Sequence, residues 1–357
     1  MLCKTIERLR KGSALSFAES KTLANTIFAV EDDARTVADL LIALADKGET
    51  GDEIAGFASA LLDRVDAVAA PAVAADLCGT GGSGLSRFNV STAAAFVAAA
   101  CDVPIAKHGN KGSRCANGSF DLLEALDLPI DLSPSDSSDA LRATGLAFLY
   151  ARQYHPVMKK VAVARKLASR RTIFNLVGPL ANPAGVRFQI IGTADTSRID
   201  ALAAAVQILG RARVLIVSGE PGIDEFSISG QSTVCDITQD SIRTFSCAPN
   251  DFGISPVDYD TVPSGLAESN AKIFLELLDG RADVSITDMV ALNAGAVLYA
   301  TGRVESILKG LELAKTAITD GSTKRKYDEY SSYVKNIGRP NNPMHADSAP
   351  PGALQSR

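Results

Sequence analysis

Histidine is scarce: only His108, His155 and His345 occur in 357 residues, so a histidine-built metal site is excluded by supply alone. Cysteine is nearly as rare. The six at positions 3, 78, 101, 115, 235 and 247 form no CxxC pair and no cluster at zinc spacing, which leaves free thiols in a reducing cytoplasm as the expected state. Long apolar runs are missing too. The alanine-rich stretch 93–100 falls well short of the roughly 20 residues that span a bilayer, and residues 1–12 mix charge with an amphipathic pattern and lack the apolar core of a signal peptide; no membrane partner is expected. Basic charge is in deficit, with 36 Lys and Arg against 41 Asp and Glu and a formal net charge of −5. No nucleic-acid footprint is therefore expected, and any anionic ligand must be held by local groups and not by a general positive field.

What is present reads as a globular chain, 46% hydrophobic and 22% charged, long enough for two or three domains or one large one with an appendage. Residues 1–70 repeat apolar positions at helical spacing, as in Val37, Leu40, Leu41 and Leu44, then Ile54, Phe57, Ala58 and Leu61. Thr50 with Glu53 has the spacing of a capping box. No catalytic cluster falls in this stretch, which reads as a helical subdomain for packing or dimerisation. From about residue 72 the texture becomes strand, glycine turn, helix. Strands are expected near 73–78, 103–106, 190–192 and 214–219, and helices over 91–100 and 199–209. Alternating strands and helices predict an α/β domain with a mostly parallel sheet. Ligands of such sheets bind at the carboxyl ends of the strands, here the glycine loop, residues 107–110 and residues 219–225. The tail 339–357, with four prolines and little apolar content, is expected to be disordered.

The loop Gly79-Thr80-Gly81-Gly82-Ser83-Gly84 fits two generic patterns at once. Gly79, Gly81 and Gly84 match GxGxxG, while Gly79 and Gly84 followed by Ser86 match a P-loop in which Leu85 stands where lysine should be. Both patterns let backbone N–H groups approach phosphate oxygens beside a helix N-terminus. An ATPase reading lacks its phosphate-gripping lysine. A dinucleotide reading lacks an acid after the second strand, because Asp102 precedes that strand and Lys107 and His108 follow it. A plain glycine turn is the bland alternative. Its company argues for more. Asn89, Ser91 and Thr92 stand at the start of an alanine-rich helix, where capping is their ordinary role. Residues 107–110 put a cation, an imidazole and an amide at a strand end, and Lys111 and Arg114 add positive charge. Gly118-Ser119 opens another helix. Asp224-Glu225 follows a strand and glycine turns, a natural place for carboxylates that hold Mg²⁺.

These segments together resemble the anthranilate phosphoribosyltransferases, enzymes of the nucleoside phosphorylase type. The matching stretches are 76–82, 88–92, 107–110, 154–156, 165–166, 171–180, 222–225 and 293–296. The resemblance implies a small N-terminal helical subdomain, 1–70, joined by helices near 165–185, and a larger α/β phosphoribosyl-binding domain, 71–164 and 186–338. It implies transfer of the phosphoribosyl group of phosphoribosyl pyrophosphate to the amine of anthranilate, a Mg²⁺ cofactor and a homodimer through the helical subdomain. Gly79, Thr80, Gly81, Gly82, Ser83, Asn89, Ser91, Thr92, Lys107 and Ser119 would bind the donor. Gly79, His108, Asn110, Arg165 and Gly178 would meet the acceptor, Arg165 through its carboxylate. Ser91, Asp224 and Glu225 would hold the metal, and no side chain is expected to act as a catalytic acid or base.

The chain departs from the family at four places. Ser83 stands where an aspartate is usual, and Lys111 replaces an arginine, giving a point charge for a fork. Residues 112–117 replace a serine-rich stretch, and Arg152 replaces a proline on the acceptor route. The departures keep open a paralogue with another aromatic or heterocyclic acceptor. A non-catalytic nucleic-acid-binding relative would have lost Asp224-Glu225 and gained basic charge.

Overall fold

The structure, a computed structural model, describes residues 2–29, 33–85, 88–112 and 116–337. Ser86, Arg114 and the tail 339–357, on which the sequence also bore, lie outside these residues.

Four helices open the chain: α1 (Leu2–Arg10), α2 (Phe17–Ala29), α3 (Ala34–Lys47) and α4 (Gly51–Leu62). The capping box at the start of α4 forms as its spacing predicts, with Thr50 Oγ1 accepting from the Glu53 N–H at 3.4 Å and the Glu53 carboxylate accepting from the Thr50 N–H at 2.9 Å. Glu53 is fully buried and does more than cap. It also accepts from the Leu15 N–H at 3.0 Å and from Lys47 Nζ at 2.9 Å, so one carboxylate ties the approach to α2, the end of α3 and the start of α4.

The remainder is built on one seven-stranded sheet of order β3-β2-β1-β4-β5-β6-β7. Its strands are β1 (Ala75–Gly79), β2 (Ile105–Gly109), β3 (Leu146–Tyr150), β4 (Phe188–Gly192), β5 (Arg213–Gly219), β6 (Ser232–Thr238) and β7 (Ile242–Cys247). The first five are parallel, and β6 and β7 add an antiparallel edge. The intervening helices are α5 (Val90–Ala100), α6 (Ser119–Ala125), α7 (Pro134–Thr144), α8 (Ala151–Tyr154), α9 (Ala162–Ala168), α10 (Ile173–Val177) and α11 (Ile199–Ile208). Four more close the described chain: α12 (Ala267–Leu278), α13 (Val284–Ala300), α14 (Ile307–Thr319) and α15 (Ser322–Asn336).

Strand alternation divides the apolar residues between two cores. Leu77, Ile190, Leu215 and Val217 face one packed by α5 and α13. Ile191, Val214 and Ile216 face the other, which α11 shares with the N-terminal helices. That second core also takes Val161, Ala164, Ala168, Ile173, Phe174 and Leu176. Segments around α9 and α10 thus share the core of the N-terminal helices.

Two expectations need correction. Lys107 and His108 lie inside β2 and do not follow it, because the strand runs on to Gly109 in register with β3. Asn89 stands at the N-cap of α5 but makes no side-chain capping bond, since its side chain is engaged elsewhere.

Candidate active site

The carboxyl ends of β1 and β4 meet at a register pair of glycines, Gly79 and Gly192. A methyl group on Gly79 would run into the Asp224 carboxylate, and one on Gly192 into the Asp224 backbone carbonyl. The paired glycines open the slot that Asp224 occupies. From there Asp224 Oδ2 accepts from the Gly81 N–H at 2.9 Å, while the Thr80 N–H is held by the Gly192 carbonyl at 2.8 Å. Gly82 has a φ of 90°, which L side chains rarely adopt, and it lies directly against Arg171. The Arg171 guanidinium donates to the Thr80 carbonyl at 2.9 Å. The loop is therefore braced on one side by an acid and on the other by a base.

Asp224 and Glu225 are both buried. The residue after them is fixed by Asn293 of α13, whose Oδ1 accepts from the Phe226 N–H at 3.0 Å and whose Nδ2 donates to the Phe226 carbonyl at 3.2 Å. Among the described residues no three His, Cys, Asp or Glu side chains cluster as a complete metal cage. Two adjacent buried carboxylates beside a loop of backbone N–H groups fit Mg²⁺, which takes one or two carboxylates and completes its shell with water and phosphate oxygens.

Lys107 and His108 sit one strand away. Lys107 is buried and its Nζ donates to the Leu77 carbonyl at 2.7 Å. Asp76, wholly buried on β1, lies near it and accepts from the His108 N–H at 3.2 Å and from Asn182 Nδ2 at 2.9 Å. Burial pushes the Asp76 carboxyl above its ordinary range, with Lys107 opposing. His108 is held neutral: burial first, then the neighbouring His155, push it down to about 3. The two rings meet edge to face with centroids 5.2 Å apart, and His155 is lowered by burial as well. Beneath them Asn182 and Gln189 reach the carbonyls of Ala106 and Pro179 at 2.8 and 2.9 Å, which ties the turn after Gly178 to the sheet.

The phosphoribosyl candidates gather across the end of α5. Asn89 and Thr92 are buried and Ser91 half-buried at its first turn. Ser119 opens α6, against the end of β2 at Gly109. Among the described residues, the buried hydroxyls of Thr80 and Thr92 and Nε2 of His108 find no hydrogen-bond partner. Buried polar atoms are rarely left so, and these three border the same loop-and-strand-end region.

Other predicted residues stand farther out. Arg165 on α9 is half-buried, its guanidinium 5.6 Å from the centre of the Phe174 ring, and burial lowers its pKa. Gly178 has open space where a side chain would be. Asn110 is exposed, its Oδ1 accepting from the Lys111 N–H at 2.9 Å. Of the departures, Lys111 turns to Glu124 at 2.7 Å, Ser83 bonds locally to the Leu85 N–H at 3.4 Å, and Arg152 is exposed on α8. Arg171 was legible only as part of a motif. Asn270, bonded to Asn89 at 2.9 Å from α12, had no signal in the sequence, since nothing local marks a contact made across 181 residues.

Two family models match the chain: "Glycosyl transferase family, helical bundle domain" over residues 4–65 and "Glycosyl transferase family, a/b domain" over residues 71–324. The anthranilate phosphoribosyltransferase of Geobacillus kaustophilus is 42% identical over 318 residues, covering 89% of this chain and 94% of that one. That of Rubrobacter xylanophilus is 38% identical over 322 residues, covering 90% and 94%. Among solved structures, the anthranilate phosphoribosyltransferase of Thermus thermophilus superposes with a TM-score of 0.87 at 34% identity, covering 93% of this chain and 99% of that one. The enzyme of Saccharomyces cerevisiae in complex with phosphoribosyl pyrophosphate and Mg gives 0.86 at 26% identity, covering 94% and 98%.

Proposed function

The chain belongs to the anthranilate phosphoribosyltransferases of the glycosyl transferase family, and from that premise we propose that the cleft around the glycine loop is where its reaction runs. The enzyme transfers the phosphoribosyl group of phosphoribosyl pyrophosphate to the amine of anthranilate and releases pyrophosphate, a step of tryptophan biosynthesis. The aromatic amine is neutral near pH 7 and already carries its lone pair. No strong base is needed, and the work lies in steadying the leaving pyrophosphate and aiming the amine.

The observation that carries this reading is the glycine-paired slot that sets Asp224 against the Gly81 N–H. In the Gly79 to Ser83 loop, where Gly192 and Asp224 take the N–H groups of Thr80 and Gly81, Gly82 and Ser83 offer theirs to the pyrophosphate. Asp224 and Glu225, with Ser91, hold Mg²⁺, which when bound supplies positive charge against the departing pyrophosphate. Lys107, Asn89, Thr92 and Ser119 take the phosphoribosyl end. The hydroxyls of Thr80 and Thr92, without a partner among the described residues, support this, because ligand oxygens would satisfy them. Arg165 receives the anthranilate carboxylate, for which a guanidinium fork is suited; Asn110 and the neutral His108 border the amine, and Gly178 leaves the acceptor room.

The helical unit serves as the dimer face. Val163 and Leu167, one turn apart on α9, are 59% and 45% exposed, and paired exposed apolar side chains of that kind favour a partner surface. The free buried thiols of Cys101, Cys235 and Cys247 accord with a cytoplasmic setting. Among the described residues no helix is long and apolar enough to cross a membrane.

Anthranilate fluorescence decides the activity. Purified protein given anthranilate, phosphoribosyl pyrophosphate and Mg²⁺ quenches it, and no turnover at saturation would refute the assignment. Glu225→Ala abolishes turnover while the melting temperature holds; an unaltered Mg²⁺ dependence in that variant removes the metal role.

A further inference from the structure

Asn270 of α12 is completely buried beside the glycine-loop cleft, yet no feature of the reaction calls on it. Its side-chain amide donates to Asn89 Oδ1 at 2.9 Å and to Asn117 Oδ1 at 2.7 Å. Asn89 Nδ2 in turn donates to the Asn117 backbone carbonyl at 3.2 Å. A main-chain bond from the Ala267 N–H to the Ala116 carbonyl at 3.2 Å fastens the same loop to the start of α12. Asn117 belongs to the stretch where this chain replaces the serine-rich segment of its family, so the linkage is partly its own.

A side-chain amide has a donor end and an acceptor end of nearly the same shape, and its neighbours choose which end faces where. The NH₂ end of the Asn270 amide meets Asn89 at its oxygen. That fixes the Asn89 NH₂ group toward the 116–119 loop, where the carbonyl of Asn117 takes one of its two protons. A phosphoribosyl group is a cluster of oxygen atoms, several of them anionic. It is bound by N–H donors and repelled by a carbonyl oxygen. In the opposite orientation Asn89 would offer that oxygen.

We infer that Asn270 is a positioning residue that sets the amide orientation of Asn89 and anchors the 116–119 segment carrying Ser119, so that the site meets the phosphoribosyl end of the donor with hydrogen-bond donors. The inference rests on reading Asn89 and Ser119 as ligands of that group. It acts on donor binding and leaves the acceptor side alone.

Asn270→Asp tests it, since the carboxylate keeps the shape but confronts both amide oxygens with another acceptor. Its KM for phosphoribosyl pyrophosphate rises by about tenfold or more, the scale of one hydrogen bond to a charged group, while its KM for anthranilate stays within about twofold. Asn117→Ala, on a half-buried loop that leaves α12 intact, raises the donor KM by roughly threefold as one of the two anchors is lost. An unchanged donor KM in folded variants overturns the inference, and so does an equal rise in both KM values, which would mark a merely structural role. Should Asn270→Asp fail to fold, the Asn117→Ala donor KM decides by the same criterion. Wild-type protein without turnover would instead refute the assigned reaction, a separate outcome read in the same assay.

Discussion

At the scale of single residues, His108 carries a cost that pH exposes. In the folded chain burial and His155 push its imidazole down to about 3, whereas an unfolded histidine titrates near about 6.5. Between those values the unfolded chain binds a proton that the folded chain refuses. Stability therefore falls as pH drops through that window and is fully present above it. Replacing His108 by Asn removes the group. Between pH 7 and pH 5 the wild type should lose about 2 kcal/mol more than His108→Asn, measured by urea unfolding at the two pH values; equal losses would mean that the imidazole is not held neutral. The same scale shows what could be read from residue types alone. Glycines before a helix, a lysine and histidine at a strand end, and two neighbouring acids each announce a chemistry. What they do not announce is bracing. Asp76 and Asn182 look like ordinary polar residues in the sequence, and only the fold brings them within 2.9 Å of one another beneath His108. The Lys111 charge was visible, but its capture by Glu124 depends on a helix turn and a loop meeting.

At the scale of elements, the three-way engagement of the Glu53 carboxylate makes the start of α4 a keystone of the helical unit. Its partner Lys47 has only 6% of its side chain exposed, so deleting the acid strands a cation where water cannot reach it. Glu53→Ala should cost about 3 kcal/mol, seen as a lower midpoint in chemical denaturation, whereas a cost near zero would mean that Lys47 swings out to solvent. Here the sequence was generous: the Thr50–Glu53 spacing specified the cap outright. Four of the five parallel strands were legible because they are short apolar runs beside glycines; β3, Leu146–Tyr150, was not read. β6 and β7 were not read, since Ser232–Thr238 shows neither a clean polar–apolar alternation nor a continuous apolar run, and β7 is largely exposed. α13 escaped because it is buried on nearly every side, and a helix without a polar face shows no period.

At the scale of the whole molecule, the sheet separates two cores, and an ion pair of Arg198 with Glu49 at 3.0 Å joins the segment after β4 to the turn between α3 and α4. The helical unit presents α9 outward. Val163→Asp with Leu167→Asp should convert the proposed dimer into a monomer in sedimentation velocity without lowering the melting temperature, because both side chains point away from the core; a wild type that sediments as a monomer, or a variant that sediments like a dimeric wild type, would overturn the assignment of this face. The same unit is discontinuous in the chain, and that has a bearing on how the protein is made. Phe57 packs against Phe174 with ring centroids 5.8 Å apart, yet a ribosome completes α4 long before it reaches Phe174. At synthesis rates of about 5–20 residues per second, the nascent helices wait on the order of ten seconds for their partner. During translation the first four helices must therefore tolerate an unfinished apolar face, and the signal that closes it comes from the middle of the gene.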